Sequence, residues 1–172
     1  MKKIQPLFIV LVLAGLTLIN SGSTQVPALS GQQLSRTVED GGTGPYPAIM
    51  LTESTLPTHT VFRPKDMTAI GNSNKLPVLA WGNGACANSP WEHVNFLSEV
   101  SSYGFLVIAI GPMPAEGEKG RGRSSSSQLK DAIDWAIAQN SDKSSPYFNK
   151  INTDKIAVSG MSCGGLQALE TA

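Results

Sequence analysis

The sequence predicts an α/β fold, in which parallel strands are joined by crossover helices. Three short apolar segments, Leu76 to Trp81, Phe105 to Ile110 and Lys155 to Ser159, alternate with two segments of helical periodicity. Continuous apolarity indicates strands that are buried on both faces, as in a parallel sheet. The order strand, helix, strand, helix, strand therefore predicts two right-handed crossovers, with helices on the faces of the sheet.

The composition is that of one globular domain of 172 residues. Charged residues make up 15% of the chain, and 13 basic side chains balance 13 acidic ones. Because a nucleic-acid interface needs an excess of positive charge, we expect no nucleic-acid partner. No phosphate-binding loop and no Cys/His spacing typical of zinc is found in the sequence, so we expect no cofactor and no metal.

Residues 1–25 have the pattern of a secretory signal peptide. Lys2 and Lys3 precede an apolar segment from Leu7 to Ile19, which is followed by small and polar residues. That segment has a length suited to a signal peptide, about 7–15 residues, and is short for a membrane span of about 20. We therefore expect a secreted protein, extracellular or periplasmic, without a stable membrane anchor after cleavage; an uncleaved anchor is the alternative.

The polar, Gly/Ser/Thr-rich residues 26–45 predict a leader ahead of the domain, which we place at residues 46–172. Two short β-prone segments open the domain, Ala48 to Leu51 and His59 to Phe62, and turn-forming residues separate them. We expect these segments to form two antiparallel strands.

Two helices connect the apolar strands. The first can be capped by Ser89, with Pro90 at the first helical position and Glu92 completing a capping box. Its end is marked by Gly104. The second helix, from Ser127 to Gln139, carries an amphipathic stripe of five apolar residues, Leu129, Ala132, Ile133, Ala136 and Ile137.

The third apolar strand runs into a Gly-x-Ser-x-Gly motif, which a helix-compatible segment follows. This order is typical of a nucleophile elbow, a sharp turn that exposes a serine above the sheet. Small residues two before and two after the serine, Gly160 and Gly164, would let the backbones pass. Ser162 would then lie at a helix N-terminus, where the Cys163 amide could face a developing oxyanion.

The loop after the first apolar strand supports the catalytic interpretation of the motif. Trp81 to Cys86 follows that strand directly, at the place where an oxyanion loop supplies its second backbone donor. A simple glycine turn is the alternative interpretation of the motif taken alone. The motif and the loop together favour an acyl-transfer site.

With these motifs, residues 46–172 resemble the α/β-hydrolase superfamily. Within it the sequence is similar to the secreted esterase-like branch, which includes dienelactone-hydrolase-like, chlorophyllase-like and polyester-hydrolase-like proteins. The likeness lies in Val78 to Gly84, Tyr103 to Ala109 and Ile156 to Gly165, which look like the superfamily's third, fourth and fifth strands with their loops. The resemblance implies a carboxylic-ester hydrolase that forms an acyl-enzyme on Ser162 and acts on a small-molecule or polymeric ester.

The resemblance also implies roles for the neighbouring residues. The amide of Cys163 and that of Asn83 or Gly84 would form the oxyanion hole. Trp81 stands where many relatives have a histidine. Because the third and fifth strands are neighbours in this fold, a Cys86–Cys163 disulfide is implied, with two unpaired cysteines in the core as the alternative.

The superfamily places an acid and then a histidine after the serine, but only Gly164 to Ala172 follow it here. His59 and His93 both precede Ser162, and we expect them to be surface residues of a strand and a helix. We therefore expect an incomplete α/β-hydrolase fold that ends just after the elbow, the N-terminal part of a longer esterase that is inactive alone. The alternatives are an inactive secreted binding domain or pseudo-enzyme, and a peptidase or acyltransferase of the same fold.

Overall fold

The computed structural model describes residues 41–71, 73–113 and 122–172. The expected signal peptide and residues 26–40 of the expected leader lie outside these residues. The last part of the leader contacts the domain, since the Gly44 N–H donates to Ser102 Oγ at 2.9 Å and Thr43 hydrogen-bonds the Glu99 carboxylate. None of the helices within the described ranges has the length and apolarity needed to cross a membrane.

A five-stranded mixed sheet forms the centre of the described region, with the strand order β1-β2-β4-β3-β5. β1 (Ala48–Leu51) and β2 (His59–Pro64) pair antiparallel, and β2 pairs antiparallel with β4 (Leu106–Ile110). β3 (Leu76–Gly82) pairs parallel with β4 on one side and with β5 (Ile151–Gly160) on the other. The predicted α/β class, with two antiparallel strands followed by parallel ones, is confirmed.

In the described part of the chain, three α-helices flank the sheet: α1 (Val94–Ser102), α2 (Ser127–Ser141) and α3 (Cys163–Thr171). Successive strand residues point to opposite faces, so the sheet has a core on each side. α2 and α3 cover one core, which contains among others Val61, Val78, Ala80, Leu106, Ile108, Leu129, Ala132 and Ala168. α1 covers the other, which is formed by Phe62, Trp81, Val94, Leu97, Val107 and Ala109.

β5 is longer than the sequence predicts. It begins at Ile151, before the predicted start at Lys155. The β3–β5 register shifts between Pro77 and Val78, and this irregularity lets the residues from Ile151 onwards join the ladder. A short polar stretch of β5 interrupts the apolar pattern, which explains why the periodicity did not indicate the earlier start.

The first helix begins differently from the prediction. Trp91–His93 form a 3₁₀ turn that precedes α1, and Pro90 lies at its N-cap rather than inside the helix. Ser89 Oγ accepts the Trp91 N–H at 3.3 Å, whereas a capping box would place that bond on Glu92. The predicted end is confirmed, since Gly104 follows the helix with a φ of 87°.

The second helix is rotated relative to the predicted stripe. Ile137 is 42% exposed, whereas Trp135 is buried with Leu129 and Ala132. The Trp135 ring packs edge-on against Tyr147, and its Nε1–H donates to Thr55 Oγ1 at 2.8 Å. Burying a large ring with its polar group bonded is favourable, and this places Ile137 towards solvent.

His59 is fully buried, so its prediction as a surface residue is wrong. β2 lies between β1 and β4, and helices cover both faces of the sheet, so the side chain of His59 is enclosed. His59 Nε2 donates to the Gln128 carbonyl at 2.8 Å, and Nδ1 lies 3.0 Å from Thr58 Oγ1. Burial lowers the pKa of the imidazole, because the charged form loses its hydration.

Candidate active site

Ser162 lies in the tight turn between β5 and α3, and its side chain is exposed. Its φ of 51° and ψ of −115° form a backbone conformation that residues other than glycine rarely adopt. The Gly164 N–H donates to the Met161 carbonyl at 2.9 Å, and the Gly165 N–H donates to the Ser162 carbonyl at 2.9 Å. The turn thus has the strand–turn–helix conformation of a nucleophile elbow.

Three glycines bring backbone segments into direct contact behind the serine. A Cβ added to Gly160 would lie 2.6 Å from the Gly82 carbonyl oxygen, and one added to Gly82 would lie 2.8 Å from the Gly164 carbonyl oxygen. A Cβ on Gly164 would overlap the Gly82 carbonyl group. The motif predicts the close contacts of Gly160 and Gly164, but Gly82 was not identified from the sequence as a packing residue. The local signal that could have indicated it is its position at the end of a strand.

The loop after β3 lies beside the elbow. The Met161 N–H donates to the Gly82 carbonyl at 3.1 Å, and the Asn83 nitrogen lies 2.7 Å from the position that a Cβ on Gly164 would take. Among the residues that the structure describes, the backbone N–H groups of Asn83, Gly84 and Cys163 have no hydrogen-bond acceptor. The structure therefore brings together the residues that the sequence pairs as an oxyanion hole, with their donors unbonded.

Cys86 and Cys163 form a disulfide, with Cα atoms 5.2 Å apart. This bond joins the loop after β3 to the first residue of α3, next to Ser162. Ala85 and Cys86 both have a left-handed backbone conformation, with φ of 54° and 51°. The disulfide thus holds the loop in a conformation that two consecutive non-glycine residues seldom adopt.

A second, non-covalent connection joins the same loop to α3. The Ser124 N–H donates to the Cys86 carbonyl at 2.8 Å, and the Gln167 side-chain amide donates to Ser124 Oγ at 3.0 Å. Gln167 is buried although it lies on the last helix. Neither Ser124 nor Gln167 was singled out from the sequence, because nothing local marks a pair that is 43 residues apart.

Removing the disulfide is expected to destabilise the domain without unfolding it. The bond spans 77 residues, and restricting the unfolded chain over such a loop contributes about 4 kcal/mol. The double variant Cys86→Ala/Cys163→Ala should therefore melt roughly 10 °C lower than the wild type in a thermal unfolding experiment. Reduced wild-type protein is the control, and it should have the same melting temperature as the double variant. A melting temperature within about 2 °C of the oxidised wild type would contradict the structural role of the bond.

Neither histidine is paired with Ser162. His93 ends the 3₁₀ turn before α1 and is half-buried rather than on a helix surface. Its ring stands edge-on to Trp81, with centroids 5.4 Å apart, and its Nε2 is buried with no hydrogen-bond partner among the residues that the structure describes. Burial lowers the pKa of His93. Within the described ranges, His, Cys, Asp and Glu side chains form no group of three that could hold a metal ion.

Comparison with known proteins identifies the family. Among curated proteins, none matches the chain significantly. Residues 60–172 match the family model PETase, which is described as PET hydrolase-like. The matched region begins within β2 and contains the loop after β3, the disulfide and the elbow, and it supports an ester-hydrolase role in general terms. Since it comprises 113 of the 172 residues, the chain belongs to the PET hydrolase-like family of α/β-hydrolases.

Proposed function

We propose that the protein is a secreted serine ester hydrolase in which Ser162 carries the acyl group. The observation that supports this most directly is the exposed Ser162 in its elbow conformation, beside the unbonded amides of Asn83 and Cys163. Ser162 Oγ bonds the ester carbonyl carbon, its proton passes to a base, and the carbonyl electron pair moves to the oxygen. Collapse of this intermediate expels the alcohol with a returned proton, and water then hydrolyses the acyl-enzyme.

The oxyanion hole in this proposal consists of the Cys163 and Asn83 amides. Asn83 is a better candidate than Gly84, because its nitrogen lies against the elbow at Gly164, whereas the Met161 methyl group lies against Gly84. Cys163 is the first residue of α3, so the helix dipole also favours negative charge there. Fixed donors of this kind stabilise the charge that develops in the transition state.

A general base must accept the Ser162 proton, and neither histidine of this sequence is placed to do so. Both ring nitrogens of His59 are hydrogen-bonded elsewhere, and His93 packs against Trp81. We therefore propose that the histidine and its acid partner come from outside these 172 residues. Residues 46–172 would then be the N-terminal part of the hydrolase domain, inactive alone.

The family supports a substrate class for this proposal, and the leader sequence supports a location. A PET hydrolase-like protein is expected to act on ester bonds of a polymer, with small-molecule esters as the alternative. The signal pattern of residues 1–25, followed by a leader at 26–45, supports a location outside the cytoplasm. The second candidate function is an inactive binding domain. It is favoured by the positions of His59 and His93, because neither is placed to activate Ser162.

The test is labelling of the natural protein, isolated from its source, with a fluorophosphonate, followed by intact mass and peptide mapping. A serine hydrolase should be labelled at Ser162, and fragmentation of the peptide from Ile156 onwards separates Ser162 from Ser159. Labelling of a protein heavier than residues 26–172 would support both the serine and an external base. If the unlabelled protein has the mass of residues 26–172 and the probe does not label it, the binding domain is favoured. If a protein of that mass is labelled, the proposal of an external base is contradicted.

A further inference from the structure

The side chain of Asn83 connects three backbone segments. Asn83 lies in a loop, yet it is only 1% exposed. Its Nδ2 donates to the Ile110 carbonyl at 2.7 Å and to the Ala87 carbonyl at 3.0 Å. Ile110 is the last residue of β4, and Ala87 follows the 3₁₀ turn Gly84–Cys86. One primary amide thus ties the end of β3 to the end of β4 and to the far side of the loop.

Few side chains can replace an asparagine in this role. Both protons of the amide nitrogen are directed at carbonyl oxygens, and only a side chain with two donors can serve two such acceptors. An aspartate at position 83 would bring a carboxylate against two carbonyl oxygens. Asn83 Oδ1 is buried without a hydrogen-bond partner within the described residues, a cost that the two donated bonds must offset.

The two side-chain hydrogen bonds of Asn83 form a tether, and this tether acts on the loop that would face the reacting ester. The Asn83 backbone nitrogen lies beside Gly164, two residues from Ser162, while the side chain of the same residue is bonded on the opposite side to β4. Rotation of the loop would therefore turn the backbone N–H away from the elbow and break both side-chain bonds. Oxyanion-hole donors lose their effect when they are displaced by a fraction of an ångström to an ångström.

We propose that the Asn83 side chain is a positioning residue, which aims the backbone N–H of Asn83 at the oxyanion by tethering the loop to the end of β4. This inference rests on the proposed function of Ser162. It assigns to Asn83 a role in transition-state stabilisation that is separate from substrate binding. Loss of the tether should consequently lower kcat and leave KM nearly unchanged.

The experiment compares the wild type with Asn83→Asp in the full natural protein. The rate of fluorophosphonate labelling at Ser162 and the kcat for p-nitrophenyl butyrate should fall about 10- to 100-fold, with KM changed less than about threefold. Asn152→Asp is the matched control, because Asn152 lies at the opposite end of β5 and its Oδ1 accepts the local Asp154 N–H. That control should label at the wild-type rate.

Three results separate the inference from the proposed function. A folded Asn83→Asp variant that labels at the wild-type rate, while the wild type is active, would overturn the inference alone. A wild type that does not label at all would contradict the proposed function. If Asn83→Asp does not fold, hydrogen exchange of the side-chain amide protons in the wild type decides by NMR: slow exchange at Asn83 relative to Asn152 supports the tether, and equal exchange overturns it.

Discussion

Replacing Ser162 by alanine in the natural protein is expected to abolish fluorophosphonate labelling and to lower kcat for ester hydrolysis by roughly 10⁴- to 10⁶-fold. The reason is chemical: without Oγ no acyl-enzyme can form, and only the amides of the proposed oxyanion hole would remain to assist direct attack by water. Initial rates with p-nitrophenyl butyrate at saturating substrate measure the change in kcat. Alanine retains the side-chain volume near that of serine, so thermal unfolding should show an intact domain.

The matched control for this variant is Ser159→Ala. Ser159 is an exposed serine of β5, three residues before Ser162 and without an elbow conformation. It should keep wild-type labelling and kcat. Persistent labelling of Ser162→Ala, or its loss in Ser159→Ala, would show that another serine is the nucleophile.

Replacing Gly164 by alanine is expected to remove more than about 4 kcal/mol from the free energy of unfolding. The added methyl group would overlap the carbonyl group of Gly82 and would lie 2.7 Å from the Asn83 nitrogen. Both obstacles are backbone groups, so the clash can be relieved only by moving α3 away from β3 and β5. Urea unfolding monitored by Trp fluorescence measures the loss, and any folded fraction should label poorly.

Gly165→Ala is the control next in sequence. A Cβ on Gly165 has Gly160 oxygen as its nearest neighbour, at 3.3 Å, which requires only a small adjustment. Because alanine favours a helix over glycine by up to about 1 kcal/mol, this variant should be nearly as stable as the wild type or slightly more stable. Equal stability of the Gly164→Ala and Gly165→Ala variants would contradict the close contact between the three glycines.

The pairing of β3 with β5 explains how the loop after β3 and the elbow come to form one candidate site. β3 and β5 are parallel neighbours, so their C-terminal ends meet at one edge of the sheet. Gly82 and Gly160 pair with each other at that edge, and the residues that follow each glycine become adjacent. The disulfide and the Ser124–Gln167 bond then fix the distance between the two segments. A parallel pair of strands thus converts two loops that are remote in sequence into one site.

The sequence by itself determined the elements whose signals are local. The α/β order, the antiparallel first pair and the helix end at Gly104 follow from periodicity and turn residues within short windows. The Gly-x-Ser-x-Gly motif after a strand likewise indicated where Ser162 lies in the fold. These predictions succeeded because each depends on neighbouring residues only.

Only the tertiary structure decided the features that depend on contacts between remote segments. The burial of His59 follows from the position of β2 inside the sheet. Trp135 is buried where Ile137 was expected, and its ring N–H is bonded to Thr55 Oγ1. The hydrogen bond of Asn83 to Ile110 joins residues 27 positions apart and leaves no local pattern. Local conformation depends on residues that are neighbours in the sequence, whereas contacts between side chains depend on how remote segments pack. The candidate site beside Ser162 consists mostly of contacts between remote segments, so the sequence alone did not reveal them.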